Sequence, residues 1–369
     1  MNILVTGAKG FVGKNLIAEL RHQKLGEVYA YDLDTGEDKL DDFCRCADFV
    51  FHLAGVNRPQ QEQEYMQGNF GFTSTLLETL KKYQNKAPVV LASSIQAELD
   101  NPYGQSKRAG ERLLFDYGRQ EKVTVLVYRF ANLFGKWCRP NYNSVVATFC
   151  YNKAHGLPIV VNDPSKVLPL CYIDDVVEEL LRALKGEPTR AGDFCEVPVT
   201  TPVSLGRLAG LLEEFVQSRA TLAVPDMRDD FTRKLYATYL SYLPTDQFSY
   251  PLKQNVDERG SFTEFLRTPE RGQVSVNVAH PGVVKGNHWH HTKNEKFLVV
   301  SGKGLIRFRK VGETKVYEYH VSGDKLTVVD IPTGYTHSIA NEGEEDLVTV
   351  MWASEPFDPN RPDTYFEPV

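Results

Sequence analysis

Four potential metal ligands are concentrated in the C-terminal third of the chain. His288 and His290 are separated by one residue, Glu295 follows shortly after, and His337 lies further on. If the two histidines lie on a β-strand, their imidazoles point to the same face, where Glu295 from the next strand and His337 from a later hairpin could join them. Three imidazoles and one carboxylate suit a divalent metal such as Zn²⁺. A His-x-His pair alone more often consists of exposed surface residues without a metal, so the prediction of a metal site depends on the complete set of four.

A second group of residues could transfer protons. Tyr103 and Lys107 are four residues apart and share one face of a predicted helix. A neighbouring ammonium lowers the pKa of a phenol, which would let Tyr103 exchange a proton with a substrate oxygen. Ser94 would hydrogen-bond the same oxygen as it becomes an alkoxide. In isolation, a Tyr and a Lys at this spacing are more often exposed helix residues than a catalytic pair.

A glycine-rich turn opens the chain. Gly7, Gly10 and Gly13 follow the first apolar run and precede a helical pattern. Such a turn lets backbone N–H groups and the helix dipole meet a pyrophosphate. Asp32 ends the second predicted strand and could bind a ribose hydroxyl or serve as a turn residue. Lys9 could instead bind the 2′-phosphate of NADPH.

Two kinds of sequence pattern, one in each part of the chain, must position these groups. Strand patterns at 2–6, 27–31, 48–53, 87–92 and 123–130 alternate with helical patterns at 11–22, 62–83, 103–119, 173–184 and 205–217. This alternation predicts an α/β Rossmann-type doubly wound parallel sheet. After about residue 245, short β-rich runs at 273–278, 296–300, 304–310, 314–321, 325–331 and 347–352 predict an all-β barrel or sandwich. We therefore expect two domains, 1–245 and 253–369.

Composition excludes several classes of protein. The 369 residues carry a formal net charge of −6, which argues against nucleic acid or an anionic membrane as a partner. No apolar run approaches the roughly 18 residues of a membrane-spanning helix. The six cysteines lack the spacing of a zinc knuckle and are expected to be free thiols. We expect a cytoplasmic protein and a homodimer.

The first 240 or so residues resemble the extended short-chain dehydrogenase/reductase family. The motifs that carry the resemblance are Gly7-x-x-Gly10-x-x-Gly13, His52-Leu53-Ala54-Gly55, Asn69, Ser93-Ser94, Tyr103-x-x-x-Lys107, Arg129-x-x-Asn132-x-x-Gly135 and Tyr172-Ile173-Asp174-Asp175-Val176. The resemblance implies that Ser94, Tyr103 and Lys107 are catalytic. It also implies a nicotinamide cofactor at Gly7, Lys9, Gly10, Phe11, Val12, Gly13, Asp32, Leu53, Ala54, Tyr103 and Lys107. The family's dehydratases carry Asp-Glu after the catalytic Ser or Thr. Here Ile95-Gln96 stand instead, which argues against dehydration and leaves carbonyl reduction or epimerisation through a transient ketone.

The C-terminal part resembles the cupin family. Its two motifs are Gly282-x5-His288-x-His290-x4-Glu295-x6-Gly302 and Pro332-x-Gly334-x2-His337-x3-Asn341, which implies a cupin barrel holding a metal. A second resemblance, carried by the eight residues from Asp257 to Glu264 and by Lys285-Gly286-Asn287-His288, is to cupin 3,5-epimerases of 4-keto-6-deoxy sugars. Those epimerases are metal-free and use the histidine as a base, so His288 is either ligand or base. A histidine, Lys293 or Tyr335 could move protons next to a ketone. A metal that only stabilises the barrel is the alternative.

The combination of both halves resembles bifunctional enzymes of capsular polysaccharide synthesis. The resemblance implies a UDP-2-acetamido-2,6-dideoxy-4-hexulose, a UDP-linked 4-keto-6-deoxy amino sugar, as the substrate. The cupin would invert C3 and the reductase would then reduce C4 with NADPH to a UDP-6-deoxy-L-talosamine derivative, on the route to UDP-N-acetyl-L-fucosamine. Two alternatives stay open. One is a UDP-hexose 4-epimerase with bound NAD and a non-catalytic sugar-binding cupin, and the other is a ligand-sensing regulator.

Overall fold

The computed structural model describes residues 1–268 and 270–369. Its contacts divide the chain into two units. The first comprises Met1–Glu213 and Asp229–Pro244, and the second comprises Glu214–Arg228 and Thr245–Val369. Within the described ranges, no helix has the length and apolar character needed to cross a bilayer.

The first unit is built on a seven-stranded sheet. Its strands are β1 (Asn2–Thr6), β2 (Glu27–Tyr31), β3 (Phe49–His52), β4 (Val89–Ser94), β5 (Val125–Phe130), β8 (Arg190–Ala191) and β9 (Phe194–Cys195). They lie in the order β2-β1-β3-β4-β5-β9-β8, parallel except for the last pair. The strand order reverses between β1 and β3, and ligands of open α/β sheets bind at the carboxyl ends of strands at such a point.

Helices cover both faces of this sheet. The helices of the described chain are α1 (Phe11–His22), α2 (Glu37–Cys46), α3 (Gln63–Tyr65), α4 (Phe72–Lys82), α5 (Pro102–Glu121), α6 (Val145–Ala154), α7 (Ile173–Leu184), α8 (Leu205–Thr221), which extends into the second unit, and α9 (Asp230–Leu240). Ile3 and Val5 pack in one apolar cluster with side chains of α1 and α7. Leu4, pointing the other way, packs with side chains of α2, α4 and α5. The alternation of a strand's side chains thus produces two cores, and the predicted doubly wound parallel sheet is confirmed.

Several shorter elements complete this part of the chain. The strands β6 (Asn132–Phe134), β7 (Val167–Tyr172) and β10 (Thr201–Ser204) form a small sheet, and 3₁₀ turns lie at Ile95–Glu98 and Thr245–Gln247. The helix predicted for 62–83 is found from Gln63 to Lys82, but between α3 and α4 it passes through a π-helical segment, Met66–Gly71. Such π-segments occur frequently at functional sites.

The second unit contains two antiparallel sheets. Its strands are β11 (Asn255–Asp257), β12 (Gly260–Thr268), β13 (Gly272–Ala279), β14 (Val284–Trp289), β15 (Glu295–Ser301), β16 (Lys303–Lys310), β17 (Val316–Ser322), β18 (Val328–Ile331), β19 (Tyr335–Asn341), β20 (Leu347–Ala353) and β21 (Tyr365–Phe366). The sheet orders are β11-β12-β13-β20-β15-β18 and β17-β16-β19-β14-β21. The all-β prediction is confirmed. Over the described residues the strands form two open sheets, so the predicted closed barrel is not established.

Candidate functional sites

The glycine turn lies at the point where the strand order reverses. Gly7 has φ +68°, and a Cβ there would lie 2.7 Å from the backbone nitrogen of Ala54, just beyond β3. A Cβ on Gly13 would lie 2.2 Å from the carbonyl oxygen of Gly7. Gly10 precedes α1, and its N–H donates to the Gly7 carbonyl. Phe11 and Val12 then form the first residues of α1. Glycine is therefore required sterically, and the turn brings 53–54 next to the amino end of α1, where a phosphate would bind.

Asp32 and Lys9 are both involved in bonds within this turn. The Asp32 carboxylate accepts from the backbone N–H groups of Lys9 and Leu33. The Lys9 ammonium pairs with Asp34, and both side chains are largely exposed. Asp32 thus serves as a turn residue in this structure. It also lies beside the glycine turn, at the end of the strand where a ribose would be expected.

Ser94, Tyr103 and Lys107 are brought together from β4 and α5. The Asn101 side chain accepts from the Gly104 N–H and caps α5, so Tyr103 lies in the first turn. The Lys107 Nζ is 5.8 Å from the centre of the Tyr103 ring and donates to the Ala92 carbonyl over 3.2 Å. Ser94, the last residue of β4, acts on the Tyr103 phenol closely enough to lower its pKa. A phenol and a hydroxyl are therefore directed at one place beside a buried ammonium.

The pKa values of this pair differ from the sequence-based expectation. Burial raises the pKa of Tyr103 to about 12, and Ser94 offsets only part of that rise. Burial lowers the pKa of Lys107 to about 8, although Glu111 acts in the opposite direction. The predicted lowering of the phenol's pKa by the ammonium is wrong here because loss of hydration outweighs the attraction over this distance. Tyr103 consequently stays protonated at neutral pH, as a proton donor must.

Asn69 acts on this site from the π-helical segment. Its side chain is buried, accepts from the Val56 N–H and donates to the Val56 carbonyl and to Ser106 Oγ. A Cβ on Gly55 would lie 2.8 Å from the Asn69 amide oxygen and 2.9 Å from the Lys107 Nζ. Asn69 therefore fixes the chain after β3 against α5. The motif indicated this residue, but no pattern in the sequence indicated the π-helical turn that carries it.

The second candidate site lies in the second unit. His288 on β14 is directly opposite His337 on β19, and Glu295 begins β15 in the other sheet. His290 follows the end of β14. One potential ligand atom from each of the four residues lies within 4.8 Å of the others. Glu295 Oε2 is 3.6 Å from His290 Nε2 and 3.5 Å from His337 Nε2. The structure thus gathers all four predicted ligands.

Two details of the predicted arrangement are corrected. His337 lies within a strand rather than on a hairpin, since β19 extends from Tyr335 to Asn341. The two neighbouring histidines are not both on a strand, because β14 ends at Trp289. The pairing of β14 shifts between Gly286 and His288, and such a bulge re-aims the side chains that follow. The rings of His288 and His290 therefore still lie 5.0 Å apart.

The buried polar atoms of this cluster fit a cation. Among the described residues, His290 Nε2, Glu295 Oε2 and both ring nitrogens of His337 are buried without a hydrogen-bond partner. Burial, with the neighbouring histidines, lowers the pKa of His288 to about 4. Burial would raise the pKa of Glu295, yet the adjacent rings of His290 and His337 hold it well below its usual range. Neutral imidazoles and ionised carboxylates are the forms in which histidine and glutamate bind a metal.

The other proposed proton carriers have different surroundings. Lys293 is buried, and its Nζ donates to the Pro362 carbonyl and to Thr364 Oγ1, each over 2.9 Å. Tyr335 is half-buried and two residues before His337, on the same face of β19. Asp363 was not a candidate from the sequence, yet its carbonyl oxygen lies 2.6 Å from His290 Nδ1. No spacing rule connects residues so distant in sequence.

A doubly wound parallel sheet, a glycine turn where its order reverses and a Tyr-x-x-x-Lys pair with a buried lysine define a nucleotide-dependent short-chain enzyme. The chain belongs to the NAD dependent epimerase/dehydratase family, whose profile matches residues 3–193. A second profile, the polysaccharide biosynthesis C-terminal domain, matches residues 255–365.

Two relatives extend over the whole chain. The capsular polysaccharide assembling protein CapF from Staphylococcus aureus is 55% identical, with a TM-score of 0.95 and coverage of 100% of both chains. A Pseudomonas aeruginosa protein named UDP-2-acetamido-2,6-beta-L-arabino-hexul-4-ose reductase is 44% identical over 99% of this chain and 98% of its own. The resemblance to capsular polysaccharide enzymes is thereby confirmed.

Proposed function

We propose that this protein is a bifunctional nucleotide-sugar enzyme of capsular polysaccharide synthesis. Residues 253–369, as a cupin-type domain, would epimerise C3 of a UDP-2-acetamido-2,6-dideoxy-4-hexulose. Residues 1–245 would then reduce its C4 ketone with NADPH to a UDP-6-deoxy-L-talosamine derivative. The proposal rests on one observation. A single chain carries both the Ser94, Tyr103 and Lys107 group and the cluster of possible metal ligands, and a relative that covers 99% of this chain is named a UDP-2-acetamido-2,6-beta-L-arabino-hexul-4-ose reductase. The homodimer expected from the sequence stays a prediction.

The reduction needs a proton donor at the C4 oxygen. Bound NADPH supplies the hydride that C4 accepts. The phenol of Tyr103, held protonated by burial, gives its proton to that oxygen, while Ser94 stabilises the developing alkoxide. Lys107, buried and positively charged below about pH 8, stabilises the phenolate that remains. The C4 carbonyl becomes a hydroxyl, and NADPH becomes NADP⁺.

The epimerisation needs a base beside the ketone and a site that tolerates an enolate. His288, His290, Glu295 and His337 would hold Zn²⁺ or a similar ion, whose positive charge stabilises an enolate oxygen. His288 is neutral at pH 7 and can serve either as a ligand or as the base that removes the C3 proton. Return of a proton to the opposite face of C3 completes the inversion, and half-buried Tyr335, two residues before His337 on β19, is a candidate donor.

The order of the two steps has a chemical reason. The C4 ketone acidifies the neighbouring C3 hydrogen and is also the hydride acceptor, so reduction must come second. Epimerisation alone is reversible, whereas reduction by NADPH removes the keto product and draws the first step forward.

The experiment supplies a UDP-4-keto-6-deoxy-HexNAc in deuterated water, with and without NADPH. We expect deuterium at C3 without NADPH and, with NADPH, loss of one equivalent of absorbance at 340 nm as a 4-hydroxy sugar appears by NMR. Turnover without net consumption of NADPH would favour the UDP-hexose 4-epimerase, which regenerates its own bound cofactor in each cycle. Binding of NADPH without turnover would favour a regulator.

A further inference from the structure

The ring of His290 has a second partner besides the metal cluster. Its Nδ1 lies 2.6 Å from the carbonyl oxygen of Asp363. A carbonyl can only accept, so Nδ1 carries a proton and the neutral form of the ring has its lone pair on Nε2, the atom that faces Glu295. An imidazole that binds a metal generally donates its other N–H in this way, which fixes both its tautomer and its orientation.

Asp363 also holds the loop that follows His290. Its carboxylate accepts from the N–H groups of His291, Thr292 and Lys293, over 3.0, 2.9 and 2.8 Å, and from the Thr292 hydroxyl over 3.1 Å. The side chain therefore anchors the loop while the carbonyl of the same residue anchors the ring. Because both contacts come from one residue, displacement of the carboxylate would displace the carbonyl.

The backbone around Asp363 is held on both sides. Asp363 has φ +39°, a conformation that costs energy for a residue with a side chain. Buried Lys293 donates to the residues on either side of it, Pro362 and Thr364. Tyr365 and Phe366, which follow Thr364, form β21, and this strand pairs with His288 and Trp289 of β14. Such a conformation persists when its surroundings over-determine it.

We propose that Asp363 is a positioning residue of the metal site, which fixes the proton and the orientation of His290. The inference rests on the proposed metal centre. Asp363 contacts Nδ1 of His290 and not Nε2, the atom that faces the cluster. It would therefore act only through the imidazole and its loop. Its removal should therefore weaken the metal without removing a ligand.

The test compares Asp363→Ala with Asp363→Asn and Asp363→Gly in the full chain. Zn²⁺ affinity is measured by competition with a chromophoric chelator, and ligand geometry by the visible absorption of Co²⁺. We expect Asp363→Ala to bind Zn²⁺ about 10- to 100-fold more weakly, the usual effect of removing an outer partner. Asp363→Asn should recover most of the loss, because an amide oxygen can still accept from Thr292 and Lys293. Glycine removes the backbone cost but not the anchoring defect, so Asp363→Gly should stay weak.

Asp358→Ala is the matched control, since Asp358 lies in the same segment and bonds locally to the Asn360 N–H. It should bind Zn²⁺ like the wild type. Wild-type affinity and an unchanged Co²⁺ spectrum in folded Asp363→Ala would overturn the inference while leaving the metal centre intact. If Asp363→Ala does not fold, unchanged binding in Asp363→Gly would overturn it instead. Failure of the wild type to bind Zn²⁺ would overturn the metal centre and this inference together.

Discussion

The two candidate sites differ in how their buried polar groups are satisfied. In the first unit, buried Lys107 donates to a main-chain carbonyl, and Ser94 acts on the pKa of Tyr103, all within a short stretch of chain. In the second unit, the nitrogens and oxygens of the cluster come from two sheets and several have no protein partner among the described residues. Leaving buried polar atoms unpaired is costly. The first site thus pairs its polar groups within the chain, whereas the second keeps buried polar atoms that the proposed cation would pair.

Replacing Tyr103 tests the first site with the largest expected effect. Tyr103→Phe removes the phenol that protonates the C4 alkoxide but keeps the ring that packs against Tyr65. We expect the rate of NADPH oxidation to fall about 100- to 10,000-fold. Deuterium exchange at C3, measured by NMR, should continue at the wild-type rate because it belongs to the other site.

Tyr117→Phe is its control. Tyr117 lies on the same helix, and its hydroxyl makes only a long 3.4 Å bond to the Asn85 carbonyl. It should reduce the substrate nearly normally. Loss of C3 exchange in folded Tyr103→Phe would break the proposed division between the sites.

His290→Ala tests the second site. Removal of one of four ligands leaves too few to hold the ion, and the loss should exceed the roughly 10- to 100-fold expected for Asp363. Elemental analysis should give well below one metal per chain, with C3 exchange abolished. NADPH binding should be unchanged because the glycine turn has its own core.

Two results would contradict this account of His290. Full metal occupancy in His290→Ala would show that the ligands are misassigned. Loss of metal with normal C3 exchange would show a structural metal and a metal-free base.

The first site was more accessible to sequence reasoning because its geometry is local. Four residues along a helix place Tyr103 and Lys107 on one face, and the strongly amphipathic helix predicted at 173–184 is found as Ile173–Leu184. The residue types of the metal-ligand cluster could also be recognised in the sequence. Their arrangement could not, because strand pairing is what places His288 opposite His337.

Other features depended on contacts that no periodicity encodes. The π-helical turn at Asn69 accompanies hydrogen bonds to Val56 and Ser106, and burial reverses the expected direction of the Tyr103 pKa shift. The role of Asp363 follows from a turn near the end of the chain that meets the loop after His290. These are tertiary effects, which override local preference.

Gly7→Ala should produce a smaller effect confined to the first site. The new methyl group would meet the Ala54 backbone at a φ of +68°, so we expect the free energy of unfolding to fall by about 1–3 kcal/mol, with weaker NADPH binding. Urea unfolding followed by circular dichroism measures the change. Gly210→Ala is the matched control, because its Cβ would meet open space on a helix and should be neutral or stabilising. Equal losses in both variants would contradict a specific steric need at Gly7.

The smallest expected effect concerns which nicotinamide cofactor the first site prefers. Lys9 is exposed and paired with Asp34, which holds the pKa of that carboxyl below its usual value. If Lys9 binds the 2′-phosphate of NADPH, it must first leave Asp34. Asp34→Asn should therefore lower the KM for NADPH, by less than about fivefold because exposed ion pairs are weak, and leave the KM for NADH unchanged. Lys9→Ala should raise the KM for NADPH and cancel the effect of Asp34→Asn in the double variant. The gain should also shrink at high salt. Parallel changes in both KM values would mean that Lys9 does not distinguish the cofactors, and that Asp32 at the strand end sets a preference for NADH.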